Sequence, residues 1–469
     1  MVSSAKTNRN TFDIFFLLTL SGILALCMGR DWMWDEATTY ENVLPTNVWE
    51  LFSYQKFSLA NHHLINSLYV KILQSVGIRH VFFFRLLSVT GFIIFYFSNI
   101  QLFRIWDIRR SYILFLVLAP YFTYFSQARG YALSIGFLSF SVLSLVKFIQ
   151  SRDVRYEYLL VCSACLSALS IFSFFFASAS VLVIYAFVKF RKRLDIHFFF
   201  CTIIFIFISF YIYFSGNIIQ EYDPYIIGSD SMLKNGMLSS ILSDFALQQE
   251  LGLFQFYPYL KLAMLLTLLA PLIYLPLLFW RKNSGRSHIA FAKRGIALIL
   301  IAITITGIYL SHLFFGAKYP LGRAILCLHY LLILNSILIV CYYYPFRRIY
   351  SFPFFFVIGV SCFQAYALFS DLTKPGIADH LKTTGRMPLY VLDYGNNPSL
   401  ELLNRLEGIH KENIHKVETV PELDQLLESD RVHTSYLLCP KSRLDSVKYR
   451  FNILYQGKDN LYLLKEDAF

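Results

Sequence analysis

Residues 62–77 read HHLINSLYVKILQSVG, and the topology of the whole chain turns on where this stretch lies. Leu64, Ile65, Leu68, Val70, Ile72 and Leu73 make it apolar, but His62, His63, Asn66, Lys71 and Gln74 interrupt it. Such an amphipathic run suits the membrane interface, where its polar groups still reach water. The charges on either side decide the question. If 62–77 does not cross, one set of connecting segments carries Lys6 and Arg9; Arg104, Arg109 and Arg110; Lys147, Arg152 and Arg155; Lys189, Arg191, Lys192 and Arg193; Arg281, Lys282, Arg286, Lys293 and Arg294; Arg347 and Arg348. The opposite set holds Asp31, Asp35, Glu36, Glu41 and Glu50, then Glu221, Asp223, Asp230, Asp244 and Glu250. Cytoplasmic loops collect Lys and Arg. A crossing at 62–77 would scramble the pattern, so the stretch is expected to lie on the outer interface. The N-terminus is then cytoplasmic and the tail from about residue 370 extracytoplasmic.

The rest of the chain agrees with a membrane setting. Of its 469 residues, 56% are hydrophobic and only 15% charged, against about 25% charged in soluble proteins. The formal charge of +12 comes in short packets between apolar runs. That is the membrane pattern; no nucleic-acid-binding motif accompanies it, so nucleic acid is not an expected partner. The expected fold class is a polytopic α-helical membrane protein of about eleven transmembrane helices. The spans fall near 12–29, 81–103, 111–125, 131–149, 157–172, 174–189, 196–214, 259–280, 295–315, 324–344 and 351–369. The first, preceded by Lys6 and Arg9 and followed by no small-x-small cleavage site, reads as a retained span. Eight cysteines are present. All but Cys439 lie in or beside apolar runs, and Cys162-x-x-Cys165 reads as small packing residues within a helix.

Two domains are expected. Residues 1–369 form the transmembrane domain, with outer loops at 30–80 and 215–258. Residues 370–469 read as a small α/β domain, with strands near 389–393 and 435–438, helices near 399–406 and 421–427, and a strand or hairpin near 452–464. No Gly-rich phosphate loop marks it as a nucleotide site.

Four places break the apolar pattern on the outer side. The first is Asp31-Trp-Met-Trp-Asp35-Glu36-Ala37, two adjacent carboxylates beside interfacial tryptophans; this is a general base or a metal ligand, or an ordinary acidic loop with an aromatic belt. The second is Asn61-His62-His63-Leu64, a helix cap with two histidines or a polar contact for a sugar or acceptor. The third is Tyr124-Phe125-Ser126-Gln127-Ala128-Arg129-Gly130-Tyr131, where the arginine either snorkels at a helix end or forks onto a phosphate oxygen. The fourth is Lys318-Tyr319-Pro320-Leu321-Gly322-Arg323, two cations where cations are otherwise depleted. Carboxylates and cations on one membrane face are what joining an acceptor hydroxyl to a lipid-linked phosphosugar requires. A carboxylate takes the hydroxyl proton as the bond forms. The leaving phosphate is a weak base that needs positive charge, which Arg129, Lys318 and Arg323 supply.

With these motifs in order, the chain resembles the GT-C glycosyltransferases, in particular glycosyltransferase family 39 and its bacterial relatives, which include the protein mannosyltransferases and the lipid A aminoarabinose transferases. The resemblance rests on Trp34-Asp35-Glu36-Ala37, with support from Asn61-His62-His63-Leu64, Ser126-Gln127-Ala128-Arg129-Gly130-Tyr131 and Tyr319-Pro320-Leu321-Gly322-Arg323, over roughly residues 10–345. It implies a polyprenyl-phosphate sugar donor, a lipid, glycan or protein acceptor, inversion at the anomeric carbon, and a bacterial inner or plasma membrane location among membrane lipid. It implies catalytic roles for Asp35 and Glu36, donor-phosphate binding by Arg129, Lys318 and Arg323, and substrate binding by His62, His63, Tyr131 and Tyr319. Relatives that need a divalent cation hold it with carboxylates of the first outer loop and a later acidic motif. No such second motif stands at the Arg129 turn, so the sequence leaves a metal open. Two other readings use parts of the same pattern: a polysaccharide polymerase or O-antigen ligase, and a secondary transporter. The scarcity of mid-span charge counts against the transporter.

Overall fold

The computed structural model of the chain describes residues 4–29, 34–54, 62–118, 124–190, 195–222, 228–229, 288–320, 322–342, 389–392, 414–417, 436–440, 451–456 and 461–466. They fall into two compact units, Met1–Met28 with Asn42–Tyr366, and Gly29–Glu41 with Ala367–Phe469.

The described helices run in order α1 (Ser4–Gly29), α2 (Trp34–Val43), α3 (Val48–Ser53), α4 (Leu64–Ser75), α5 (Val81–Ile105), α6 (Ile113–Leu118), α7 (Gly130–Ser151), α8 (Val154–Ser170), α9 (Phe175–Phe190), α10 (Ile196–Tyr222), α11 (His288–Phe315) and α12 (Leu326–Tyr342). Among the described residues, five helical stretches are long and apolar enough to cross a bilayer: Val81–Ile105, Gly130–Ser151, Phe172–Phe190, Ile196–Ile219 and Gly295–Phe315. Ile14–Gly29 and Leu326–Leu338 are shorter apolar stretches. The chain is thus a polytopic helical membrane protein. The expected spans at 259–280 and 351–369 lie outside the described residues. So do residues 119–123 of the expected span 111–125, whose first part is the six-residue helix α6 with a 3-10 turn before it.

The apolar surface shows what surrounds the bundle. On α10, Phe199, Phe200, Ile203, Phe207, Phe210 and Phe214 are exposed. Water would not tolerate such a ridge, whereas lipid chains solvate it. The interior is held differently, because lipid leaves little hydrophobic drive between helices and close packing takes over. Helix α7 is central, lying between α5 and α8. A Cβ on Gly91 would stand 2.4 Å from the carbonyl carbon of Ala132, and one on Gly136 would stand 2.5 Å from the Gly91 carbonyl oxygen. The α5 and α7 backbones therefore touch. Across the α7–α8 seam, the Ser134 hydroxyl donates to the Ser167 carbonyl at 2.6 Å and the Ser167 hydroxyl to the Ser134 carbonyl at 2.8 Å. At the end of the bundle where α8 begins, buried Glu157 pairs with Lys189, which also reaches Asp195 Oδ2 at 2.6 Å.

Helix α4 has 12 residues, which at 1.5 Å per residue is about 18 Å, too short for a bilayer core of about 30 Å. Leu64, Asn66, Ser67, Val70 and Leu73 are buried, while Ile72 and Val76 are exposed. It packs on α3, α5, α7 and α8, as a helix lying over the ends of spans does. The short helix α3 is fixed by a capping box, Asn47 Oδ1 accepting from Glu50 N and Glu50 Oε2 from Asn47 N, both at 2.8 Å. It is tied to the flank of α10 by the Tyr211 hydroxyl, which donates to the Phe52 carbonyl at 2.9 Å.

In the second unit, strands β3 (Leu389–Leu392), β4 (Ile414–Val417), β5 (Tyr436–Pro440), β6 (Phe451–Gln456) and β7 (Leu461–Glu466) form one sheet in the order β4-β3-β5-β7-β6. β3 is parallel to β4 and β5, and β7 is antiparallel to β5 and β6. Three of the expected strand positions coincide with β3, β5 and the β6–β7 hairpin; β4 is an addition. The expected helices at 399–406 and 421–427 lie outside the described residues.

Candidate functional site

Arg129 occupies the N-cap position of α7 with extended backbone, φ −141° and ψ 157°. It is only 3% exposed. A snorkelling arginine keeps its head in water; this one does not. The turn before it is held from three directions. The Cys27 thiol at the end of α1 faces the Ser126 carbonyl at 3.8 Å. The Ser88 hydroxyl of α5 lies between the carbonyls of Gln127 and Arg129, 3.1 Å from the latter. Asn66 Nδ2 of α4 donates to the Ala128 carbonyl at 3.1 Å. Every carbonyl from Ser126 to Arg129 thus has a donor outside the turn. Gly130 completes the clamp: a Cβ there would stand 2.4 Å from the Ser170 carbonyl and 3.0 Å from His63 Cβ.

The histidines sit on the other wall. His63 is the N-cap of α4 but makes no side-chain cap bond, so the cap expected of Asn61 falls two residues further on. Asn61 itself lies outside the described residues. His62 and His63 are both buried. The His63 ring meets the Tyr131 ring edge-on at 5.1 Å, and the Arg129 guanidinium carbon lies 5.3 Å from the same ring's centroid. Tyr124 stacks obliquely on Tyr131 at 5.2 Å. Burial, then the Arg129 charge and then His62, hold the His63 imidazole well below its ordinary pKa. It is neutral at pH 7, with one ring nitrogen a donor and the other an acceptor. His62 is covered by Tyr54, whose ring lies 4.2 Å away and whose hydroxyl donates to the His62 carbonyl at 3.3 Å. Tyr54 ends α3 at φ +56°, a left-handed conformation that a bulky residue adopts only when its surroundings fix it.

The fourth motif approaches the same end of the bundle. Strand β1 (Gly228–Ser229) pairs with β2 (Tyr319–Pro320). Tyr319 is buried and stacks on His312 at 4.3 Å. The 3-10 turn Gly322–Ile325 packs on the turn Phe172–Phe174, and Phe172 meets Tyr54 at 5.5 Å. Lys318 is exposed, unlike Arg129; the Arg323 side chain lies outside the described residues.

Asp35 and Glu36 fall in the second unit, in the first turn of α2. Glu36 is 1% exposed, and Thr39, one turn on, is buried as well. The Asp35 side chain lies outside the described residues. Among the described residues, no three His, Cys, Asp or Glu side chains form a metal-holding group.

Sequence reading passed over four residues that the fold brings to this junction: Tyr54, Asn66, Ser67 and Ser88. Asn66 carried a signal, as a polar residue three positions after His63 in an apolar run, hence on the same helical face.

The fold and this junction define a class: a multi-pass helical membrane protein with a buried cationic and histidine-lined site at one end of its bundle. No known protein family model matches the chain, and no curated protein does. Two crystal structures of ArnT from Cupriavidus metallidurans are similar to it. That in the apo state is 13% identical with a TM-score of 0.49, the match covering 99% of each chain. That bound to undecaprenyl phosphate is 12% identical with a TM-score of 0.42, covering 97% of this chain and 98% of that one.

Proposed function

We propose that the chain is an inverting glycosyltransferase that moves a sugar from a polyprenyl-phosphate donor to an acceptor hydroxyl at the outer face of the membrane. The observation that carries this is the buried Arg129, clamped at a helix N-terminus beside two buried histidines. The guanidinium charge and the positive potential of a helix N-terminus both favour an anion at this place. A phosphate linked to a lipid suits such a place, because the lipid reaches a bundle surrounded by acyl chains.

In this mechanism the acceptor oxygen attacks the anomeric carbon as the bond to the phosphate oxygen breaks. The hydroxyl proton passes to Asp35, and the phosphate departs as an anion that Arg129 stabilises, with Lys318 and Arg323 adding positive charge. The assignment of the base rests on the sequence motif around Asp35. The buried Glu36 beside it orients the acceptor.

The test is sugar transfer by purified protein in lipid, from a polyprenyl-phosphate sugar, with and without chelator. Asp35→Asn keeps shape but removes the proton acceptor, so transfer falls by roughly 10²–10⁴. Arg129→Ala costs roughly 10²–10³. Glu36→Gln costs less than Asp35→Asn. Full activity in Asp35→Asn would remove it from the mechanism. Equal loss in both carboxylate variants, with activity abolished by chelator, would assign them to a metal instead.

A further inference from the structure

Four side chains at the junction of α4 with the 126–131 turn are buried with polar atoms that have no hydrogen-bond partner: His63 Nε2, Asn66 Oδ1, Ser67 Oγ and Gln127 Oε1. His63, Asn66 and Ser67 share one face of the first turn of α4. Gln127 joins them because its neighbour Ala128 is the residue that Asn66 holds. Each is at least nine-tenths buried. A buried polar group left unsatisfied is costly, because the bond it made to water is lost and not replaced. A set of this size in one place marks a site made for something else.

The chemistry of the set says what. Asn66 Nδ2 is committed to the Ala128 carbonyl, which only accepts, so Oδ1 is fixed as an acceptor. Gln127 Oε1 is another. The Ser67 hydroxyl both gives and takes, and His63 Nε2 does one or the other according to its tautomer. Acceptors with amphoteric neighbours match hydroxyl groups, which donate and accept at once. A cationic group is disfavoured by Arg129, whose charge already bears on His63. An anion finds no committed donor here.

We propose that this junction is a subsite for the hydroxyl groups of a neutral sugar, held by His63, Asn66, Ser67 and Gln127. The proposal rests on the glycosyltransferase reading and extends it. Gln127 stands two residues before the arginine assigned to the donor phosphate, and a sugar bonded to that phosphate lies within a few ångströms of it. The subsite therefore reads the sugar of the donor.

The test separates this subsite from the donor reading. Binding of a short-chain polyprenyl phosphate is compared with that of the same lipid carrying glucose, mannose or arabinose, for the wild type, Ser67→Ala and Gln127→Met. The wild type binds at least one sugar-carrying lipid about tenfold more tightly than the bare lipid, and each variant loses most of that ratio. Affinity for the bare lipid stays as in the wild type. The ligand-free melting temperature of Ser67→Ala is unchanged or higher, because an unsatisfied hydroxyl has gone. A sugar ratio kept intact in both variants, or a wild-type ratio of one for all three sugars, overturns the subsite alone. A lower melting temperature for ligand-free Ser67→Ala with the ratio intact would assign the hydroxyl to an internal water. A wild type that does not bind the bare lipid overturns the donor reading and the subsite with it.

Discussion

His63 gives the site a pH dependence whose sign follows from its surroundings. Burial first, then Arg129 and His62, place its folded pKa well below the ordinary 6.5. The unfolded chain then binds a proton that the folded one refuses. The stability from a neutral His63 is complete above about pH 6.5 and drains away as pH falls toward the folded value, at up to about 1.4 kcal/mol per pH unit. The wild-type melting temperature in detergent should therefore fall between pH 7 and pH 5, and His63→Gln should flatten that fall. Parallel curves for the two proteins would show that His63 does not titrate this way. At this scale, sequence reading met its limit. The motif containing Arg129 was visible, but a snorkelling arginine and a buried one have the same letters. Only the positions of Ser88, Asn66 and Cys27 around the turn distinguish them, and those lie far apart in the chain.

Among the elements, α4 was the most legible, since polar residues at 62, 63, 66, 71 and 74 leave it an apolar face too interrupted to read as a crossing helix. The strands β3 and β5 were legible for a similar reason, being short apolar runs between polar ones. β4 was not, because His415 and Lys416 hide the apolar ends of a four-residue strand. The ends of α8 and α9 make a separate forecast. Lys189 links Glu157 to Asp195, and the Tyr185 hydroxyl donates to Glu157 Oε2 at 3.3 Å. Lys189→Met leaves a buried carboxylate without its cation and should cost about 3–5 kcal/mol of stability. Adding Glu157→Gln should recover most of it, because the buried charge has then gone. No recovery in the double variant, measured by thermal unfolding in one detergent, would show that the pair contributes through packing alone.

For the whole molecule, the outstanding expectation is orientation. The C-terminal ends of α5, α7 and α9 and the N-terminal ends of α8 and α10 carry or adjoin Arg104, Lys147, Arg152, Arg155 and Lys189. The Arg129 junction stands at the start of α7. Cysteine labelling in intact cells checks this: a single reporter cysteine at exposed Arg155 should resist an impermeant reagent, and one at exposed Lys318 should react. The reverse result would put the site on the cytoplasmic face and remove the outer-face acceptor. The contact between Gly91 and Gly136 bears on how such a chain is made. Gly91 leaves the ribosome before Gly136, so α5 emerges ahead of the surface it will press against. The Ser88 hydroxyl cannot close on the 127 and 129 carbonyls until α7 has arrived. A bulky residue at Gly136 would thus act during biogenesis, leaving chains that are inserted but never mature and that quality-control proteases remove.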